Sequence, residues 1–451
     1  MEYDVIIVGA GPAGLFAALE LTARSPRPRV LLVEKGRDID KRERGEIFSG
    51  WGGAGAFSDG KLNLSGEVGG FLSEYVGAGE LDALIAYVDD LYVRFGAPGE
   101  LKGMDAEGVK RIEEASARAG LRLVPFAIRH LGTDRCIRLL KRLRQELDGR
   151  VELLFETEAA SMVRCDNRAA GVVTTDGREL RSRFTLLSPG RSGAGWLQGL
   201  WRSLGLGTTI NPVDIGVRVE IPAAVLSPVT DVLHEAKFVY NSRRFDDRLR
   251  TFCMNPYGVV VKEAHKGFCT VNGHSYSSRR SGNTNFAILV STTFTEPFHE
   301  PVEYGRLIAR LANLLGEGII VQRLGDLLGG RRSTAERIRK GAVTPTLADA
   351  TPGDLSFVLP YRYITGIIEM IEVLDRIAPG MNSTSTLLYG VEVKFYSMRP
   401  RLTAELETEL PGLFAAGDGA GVTRGIIQAS ASGVIAARAI GRRLAGGEAA
   451  P

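Results

Sequence analysis

The chain has 451 residues, 44% of them hydrophobic, with 56 Lys and Arg against 53 Asp and Glu for a formal net charge of +3. That length and apolar content build two or three domains around sizeable cores. So small a charge excess, with basic pairs scattered at Arg243-Arg244, Arg279-Arg280 and Arg331-Arg332, argues against the clustered basic stripe of a nucleic-acid surface.

Four cysteines (Cys136, Cys165, Cys253, Cys269) lie far apart and keep no ligand-like spacing to the five histidines. This speaks against a metal site and a redox disulfide. No apolar stretch approaches the ~18 residues that span a bilayer. The first strand begins by residue 4, which leaves no room for a signal peptide. The expectation is a soluble, cytoplasmic protein without a membrane partner.

Val5 to Val8 is a wholly apolar, β-branched run, the pattern of a strand buried on both faces of a parallel sheet. Gly9, Gly11 and Gly14 then form G-x-G-x-x-G, and Leu15 to Ala23 continues at helical spacing. Gly9 allows the tight turn, Gly11 lets the backbone approach a pyrophosphate, and Gly14 lets helix and strand pack closely. Pro12 fits the first helical turn, and Ala13 lies beside it. A second apolar strand, Val30 to Val33, ends at Glu34 followed by Lys35. This is about twenty residues past Gly14, where an acid meets a ribose hydroxyl. The spacing predicts a bound dinucleotide.

Next comes Ser49-Gly-Trp-Gly-Gly-Ala-Gly-Ala-Phe-Ser-Asp-Gly-Lys-Leu62. Glycine this dense forms neither helix nor strand interior. Trp51, Phe57 and Leu62 are apolar residues that a solvated linker would not carry. Residues 79 to 120 read as two helices, and a third, capped by Thr133 or Asp134, runs from about 134 to 147.

From Val151 the period changes to two. Strands are expected at Val151 to Phe155, Ala159 to Val163, Ala170 to Thr175 and Glu179 to Leu187, with a hairpin turn at Asp176-Gly177. The last of these ends in Ser188-Pro-Gly-Arg-Ser-Gly-Ala-Gly195, which reads as the chain returning past the first site. Residues 206 to 300 are mostly strands (Val213 to Glu220, Lys237 to Tyr240, Gly258 to Lys262, Ala287 to Thr293). Residues 301 to 316 and 361 to 378 are helical. Near the end, Glu409-Leu-Pro-Gly-Leu-Phe-Ala-Ala-Gly-Asp418 is a turn, an apolar strand and an acid at the strand's carboxyl end, where ligands of open parallel sheets sit. A helix from Ile426 follows Gly425, and its N-terminus aims a second positive dipole end at the same crevice.

Gly9-x-Gly11-x-x-Gly14 with Glu34, the strand ending Ser188-Pro-Gly190, and Leu413-Phe-Ala-Ala-Gly-Asp418 together resemble the two-domain flavoproteins with a glutathione-reductase-type FAD domain. The resemblance covers the first ~60 residues, the middle meander and the last ~65. Within that superfamily four stretches are similar to the bacterial FAD-dependent dehydrogenases: Gly52 to Leu62, Pro212 to Glu220, Glu392 to Ser397 and Gly417 to Gly425. One departure is Thr251 to Gly258, which has Asn255 and Tyr257 where the family would have Cys and Gly.

The resemblance implies an α/β fold, a Rossmann-like FAD-binding domain with a parallel sheet plus β-meander and an inserted α+β substrate or cap domain. It divides the chain into FAD-binding parts at 1–75, 126–205 and 386–451, a helical cap part at 76–125 and a substrate domain at 206–385. FAD would be held non-covalently by Gly9, Gly11, Pro12, Ala13, Gly14, Glu34, Lys35, Gly53, Ala54, Gly55, Ala159, Ser188, Gly190, Gly417, Asp418, Gly425, Ile426 and Ile427. Glu34 would bind the adenosine ribose, Ala159 the adenine and Asp418 the ribityl chain, with NAD(P)H as a candidate transient reductant.

The implied activity is that of an FAD-dependent oxidoreductase, a dehydrogenase or reductase passing a hydride between flavin N5 and a small organic substrate. The alternatives are an aromatic monooxygenase, or a flavoprotein acting on tRNA or a protein partner. Asp59, Lys61 and Lys394 are the candidates for catalysis. The competing readings are that Asp59 and Lys61 shape their loop, that Lys394 and Tyr396 lie on a solvated face, and that Arg424 caps a loop instead of holding an anion. Oligomeric state is left open.

Overall fold

A computed structural model describes residues 2–43, 48–58, 60–209, 211–265, 267–276, 280–294, 298 and 300–446. The chain forms two compact units, each discontinuous: one from Met1–Glu100, Ile128–Asn211 and Ser397–Pro451, the other from Leu101–Ala127 and Pro212–Tyr396.

In the first unit, the apolar runs read from the sequence become five parallel strands. Their order is Glu152–Leu154, Val30–Val33, Tyr3–Val8, Glu179–Leu187 and Leu413–Ala415. Val8 lies beside Val33 on one side and Leu187 on the other, and Ala415 also lies beside Leu187. The carboxyl ends of these strands are therefore level, and the loops leaving them share one edge. The strand Glu179–Leu187 does two jobs. Its last residues sit in the parallel sheet, while Glu179 and Arg181 pair antiparallel with the meander strand Arg168–Thr174, which in turn pairs with Ala159–Cys165.

Helix Pro12–Thr22 packs on helix Ile426–Ala445. The approach is close enough that a Cβ on Gly433 would stand 2.0 Å from the Ala13 carbonyl oxygen. Helix Ala78–Arg94 joins the same core. The Phe16 and Tyr92 rings lie 4.7 Å apart, and the Tyr92 hydroxyl is 2.9 Å from Ser430 Oγ. This corrects the expected 76–125 cap segment, whose apolar stripe (Leu81, Leu84, Ile85, Val88) is buried in this unit's core. The third helix also begins earlier than expected, at Thr133, with Gly132 in the capping position at φ 77°.

The second unit is an eight-stranded sheet in the order Thr351–Pro352, Ile320–Arg323, Leu387–Lys394, Val213–Pro222, Asn283–Thr292, Arg248–Asn255, Lys237–Asn241, Arg122–Val124. Leu387–Lys394 pairs along Val213–Pro222, with Val393 opposite Ile215. The expected boundary at 386 is corrected by that pairing, which keeps the strand in this unit. Elements the sequence pattern did not disclose here include the strands Arg248–Asn255, Phe268–His274 and Ile320–Arg323 and helix Ala223–Leu233.

Alternation along the central strand separates two faces. Val213, Ile215, Val217, Val219 and Ile221 enter an apolar core, while Asp214, Arg218 and Glu220 lie on the other face, each buried and bonded. Arg218 donates to Glu392 through Nε at 2.7 Å and Nη2 at 2.9 Å. Burial alone would raise the Glu392 carboxyl; the charges of Arg218 and Lys394 and their hydrogen bonds outweigh it and hold the group below the usual glutamate range.

Candidate functional site

The level strand ends of the first unit open onto a cleft, and most of the residues predicted to bind a cofactor line it. The turn after the first strand contributes Gly9, Gly11, Pro12 and Ala13. Its three glycines do different work. Gly9 has φ 104°, and a Cβ there would stand 2.3 Å from the Ser188 carbonyl oxygen; a Cβ on Gly14 would stand 2.0 Å from that of Gly9. Both are demands of the fold. Gly11 has φ −80°, which any residue adopts, and a Cβ on it would meet nothing within 4 Å. Its missing side chain leaves space in the cleft and relieves no clash within the chain. Gly14 packs behind the turn and does not line the cleft, and neither does Ile427, which is buried in the core.

Glu34 and Lys35 follow at the end of the second strand. The Glu34 carboxylate, only 6% exposed, accepts backbone N–H groups from Ala10, Gly36 and Gly50, each at 2.8 Å. An ionised carboxylate offers about four acceptor positions, so one is left for a hydroxyl in the cleft. Lys35 lies 4.0 Å from Glu158.

The glycine-dense loop packs onto this turn. Trp51 is fully buried and donates through Nε1 to the Leu140 carbonyl at 3.0 Å. The Gly52 N–H donates to the Ala10 carbonyl at 2.8 Å. Gly53, Ala54 and Gly55 consequently line the cleft, joined by Ser58.

The meander supplies Ala159, and the returning strand supplies Ser188 and Gly190. Ser188 is fixed by its Oγ donating to the Val8 carbonyl at 3.0 Å. From the last segment come Gly417, Asp418, Gly425 and Ile426. Thr423 Oγ1 donates to Asp418 Oδ1 at 2.7 Å, and Arg191 Nε lies 3.8 Å from Oδ2. Gly425 is the N-cap of helix Ile426–Ala445, as Gly11 is of helix Pro12–Thr22. Neither N-cap provides a side-chain acceptor. Two sets of unsatisfied helix N–H groups, with the positive dipole ends, thus open into the same cleft.

Several lining residues are not among those expected to bind the cofactor: Thr157, Glu158, Trp196, and Arg191 and Ser192 of the returning segment. Trp196 donates to the Ala160 carbonyl at 2.8 Å. A tryptophan in the first turn of a helix gives no signal from spacing alone; only the return of the strand Glu179–Leu187 beside the first strand brings it here. Arg424 also lines the cleft and lies over the Phe71 ring at 4.2 Å.

Neither Lys61 nor Lys394 is among the residues that line this cleft. Asp59 lies outside the described residues. Lys61 opens the strand Lys61–Leu64 beyond the lining segment. Lys394 belongs to the second unit, where its ammonium is 3.0 Å from Glu392 and only 12% of its side chain is exposed. Tyr396, expected on the same face, bonds to Asp214 and, at 2.9 Å, to Arg250.

A Rossmann-like sheet whose strand ends carry two bare helix N-termini, an acid and a side-chain-free approach at Gly11 is built to hold a dinucleotide. Family comparison specifies which one. Residues 4–216 match the FAD binding domain model, residues 212–395 match the C-terminal domain-like model of FAD-dependent proteins, and residues 354–448 match glucose inhibited division protein A. These matches make the chain similar to FAD-dependent proteins over residues 4–395, and the dinucleotide of this cleft is FAD.

A similar relative is an uncharacterized protein of Clostridium beijerinckii, 29% identical over 95% of this chain and 79% of its own. Solved structures with a similar course include glycine oxidase from Geobacillus kaustophilus (17% identity, 98% of this chain and 95% of that one, TM-score 0.39). L-proline dehydrogenase from P. horikoshii is another (13%, 98% and 94%, TM-score 0.41). No helix among the described residues is long and apolar enough to cross a membrane.

Proposed function

We propose that this protein is a dehydrogenase or reductase that passes a hydride between FAD and a small organic substrate. The observation that carries the reading is the cleft itself, in which Gly11 leaves room that the fold does not need. When bound, FAD supplies the two-electron chemistry; the chain supplies position and charge. The N-termini of helices Pro12–Thr22 and Ile426–Ala445 hold anionic oxygens. Glu34 and Asp418 accept from hydroxyl groups, and Arg424, seated on Phe71, adds positive charge beside the second helix start.

Lys61 with Asp59, and Lys394 with its partner Glu392, are the groups we propose for substrate anchoring and proton transfer. Lys394 supports that role best, because Glu392 fixes its ammonium while the Phe252 ring lies 5.5 Å away. A cytoplasmic site is part of the same proposal, supported by four cysteines of which none is in a disulfide among the described residues, as expected in a reducing compartment.

The test is anaerobic reduction of the purified holoprotein by NADH, NADPH and a panel of amines, hydroxy acids and enones. Bleaching of the flavin by one class, or reoxidation of the reduced protein by an enone, is the expected result. Activity that appears only with oxygen and a phenolic substrate would replace this reading with a monooxygenase.

A further inference from the structure

Helix Pro301–Gly316 is buried along one side only. Ile308, Ala309 and Ala312 face the core of the second unit. On the other side Leu307 is 55% exposed, Leu311 37%, Leu314 78% and Leu315 51%. The spacing i, i+4, i+7, i+8 puts all four on one stripe of the helix surface. A single exposed leucine needs no explanation, but a contiguous apolar patch marks an interaction surface. The stripe runs into an aromatic cluster at the head of the helix. The Phe294 ring lies 4.5 Å from Phe298 and 5.0 Å from Tyr304, and Phe298 is itself 36% exposed.

We infer that this face binds a second copy of this chain, the two Pro301–Gly316 helices lying antiparallel about a two-fold axis near Leu311. Such an interface is self-complementary. Under that axis Leu307 of one copy meets Leu315 of the other, and Leu311 meets its own equivalent. The charges follow the same symmetry. Arg306 of one copy falls opposite Glu317 of the other to within about one residue's rise of ~1.5 Å. In a single copy those residues are eleven positions apart, roughly 16 Å along the axis, so they can meet only across the interface.

The charge pattern also separates this occupant from a lipid surface. A membrane-binding helix carries an excess of Lys and Arg on its polar face. Here Glu303 and Glu317 balance Arg306 and Arg310. Stable dimers bury about 800 Å² per partner. Four leucines fall short of that, so the aromatic cluster joins the contact and the association is concentration-dependent.

Sedimentation velocity of the full-length holoprotein over a concentration series tests this, with flavin absorbance reporting an intact fold. The parent should shift from monomer to dimer. Leu314→Lys, at the most exposed leucine, should abolish the shift. Arg306→Glu and Glu317→Arg should each weaken dimerisation about tenfold, and the double charge reversal should restore it. A parent that stays monomeric at every soluble concentration overturns the inference, whether or not it cosediments with anionic vesicles. So does a double reversal that is no better than either single change.

Discussion

The Glu34 carboxylate accepts the Ala10 backbone N–H at 2.8 Å, so the acid that closes the second strand is fastened to the glycine turn that follows the first. Glu34 shapes the cleft as well as facing it. Glu34→Ala leaves three N–H groups without their acceptor, those of Ala10 and Gly50 buried, at about 1–3 kcal/mol for each buried one left unsatisfied. The expected outcome is a lower Tm of the flavin-free protein together with weaker FAD binding. A flavin-free Tm equal to the parent's would limit Glu34 to the ligand.

Gly11 and Gly9 separate folding from binding. Gly11→Val should give a protein with parental thermal stability in the flavin-free form that cannot be reconstituted, because the new side chain occupies only the space reserved for the pyrophosphate. Gly9→Ala should lose stability even without flavin, since its Cβ would press on Ser188. Thermal melts of both flavin-free variants, beside FAD titrations, check the contrast.

Asp418, at the start of the loop leading into helix Ile426–Ala445, accepts from Thr423 near the end of that loop. Asp418→Ala should weaken FAD by ~1–3 kcal/mol, the cost of leaving a ligand hydroxyl without its acceptor. If equilibrium titration shows the parental Kd, its assignment to the ribityl chain is wrong.

The buried Arg218–Glu392 pair makes a pH-dependent contribution with a definite sign. The Glu392 carboxyl is lowered in the folded chain, against about 4.3 when unfolded. Its stabilisation is therefore fully present above the unfolded value and is lost as pH falls through the lowered folded one. Glu392→Gln removes one partner and strands a buried guanidinium, which costs about 3–5 kcal/mol. Chemical denaturation should show that loss near pH 7, and the gap between variant and parent should narrow below pH ~4.

What the sequence disclosed depended on how local the signal was. Gly9, Gly11, Gly14 and Glu34 sit within one βαβ unit, and their spacing alone described the turn. Ser188, Gly417 and Asp418 were legible because each ends an apolar strand. Trp196, just past the segment read as returning to the site, was not, because its place follows from parallel pairing between strands about 180 residues apart. The boundary near 386 failed for a related reason. Lys394 and Tyr396 read as part of a strand near the last FAD segment, and only the register of Leu387–Lys394 with Val213–Pro222 assigns that strand to the second unit. In the glycine-dense loop the buried Trp51 was foreseen by its apolar character, but its anchor on Leu140 lies 89 residues away and leaves no local pattern.

The last prediction follows from that long-range assembly. The first unit draws its cleft from three separated segments, and the strand Leu413–Ala415 pairs with the end of Glu179–Leu187. A chain ending at residue 211 keeps the glycine turn and Glu34 but loses Gly417, Asp418 and the N-terminus of helix Ile426–Ala445. It also exposes the face of helix Pro12–Thr22 that Gly433 covers. Such a fragment should neither hold FAD nor melt cooperatively. A single chain joining 1–100, 128–211 and 397–451 through flexible linkers restores every lining segment and should bind FAD, detected by retained yellow colour after gel filtration and release of FAD on denaturation. If the 1–211 fragment alone binds FAD with parental affinity, the last segment is not part of the binding site. The roles given to Asp418 and to the second helix N-terminus would then fall with it.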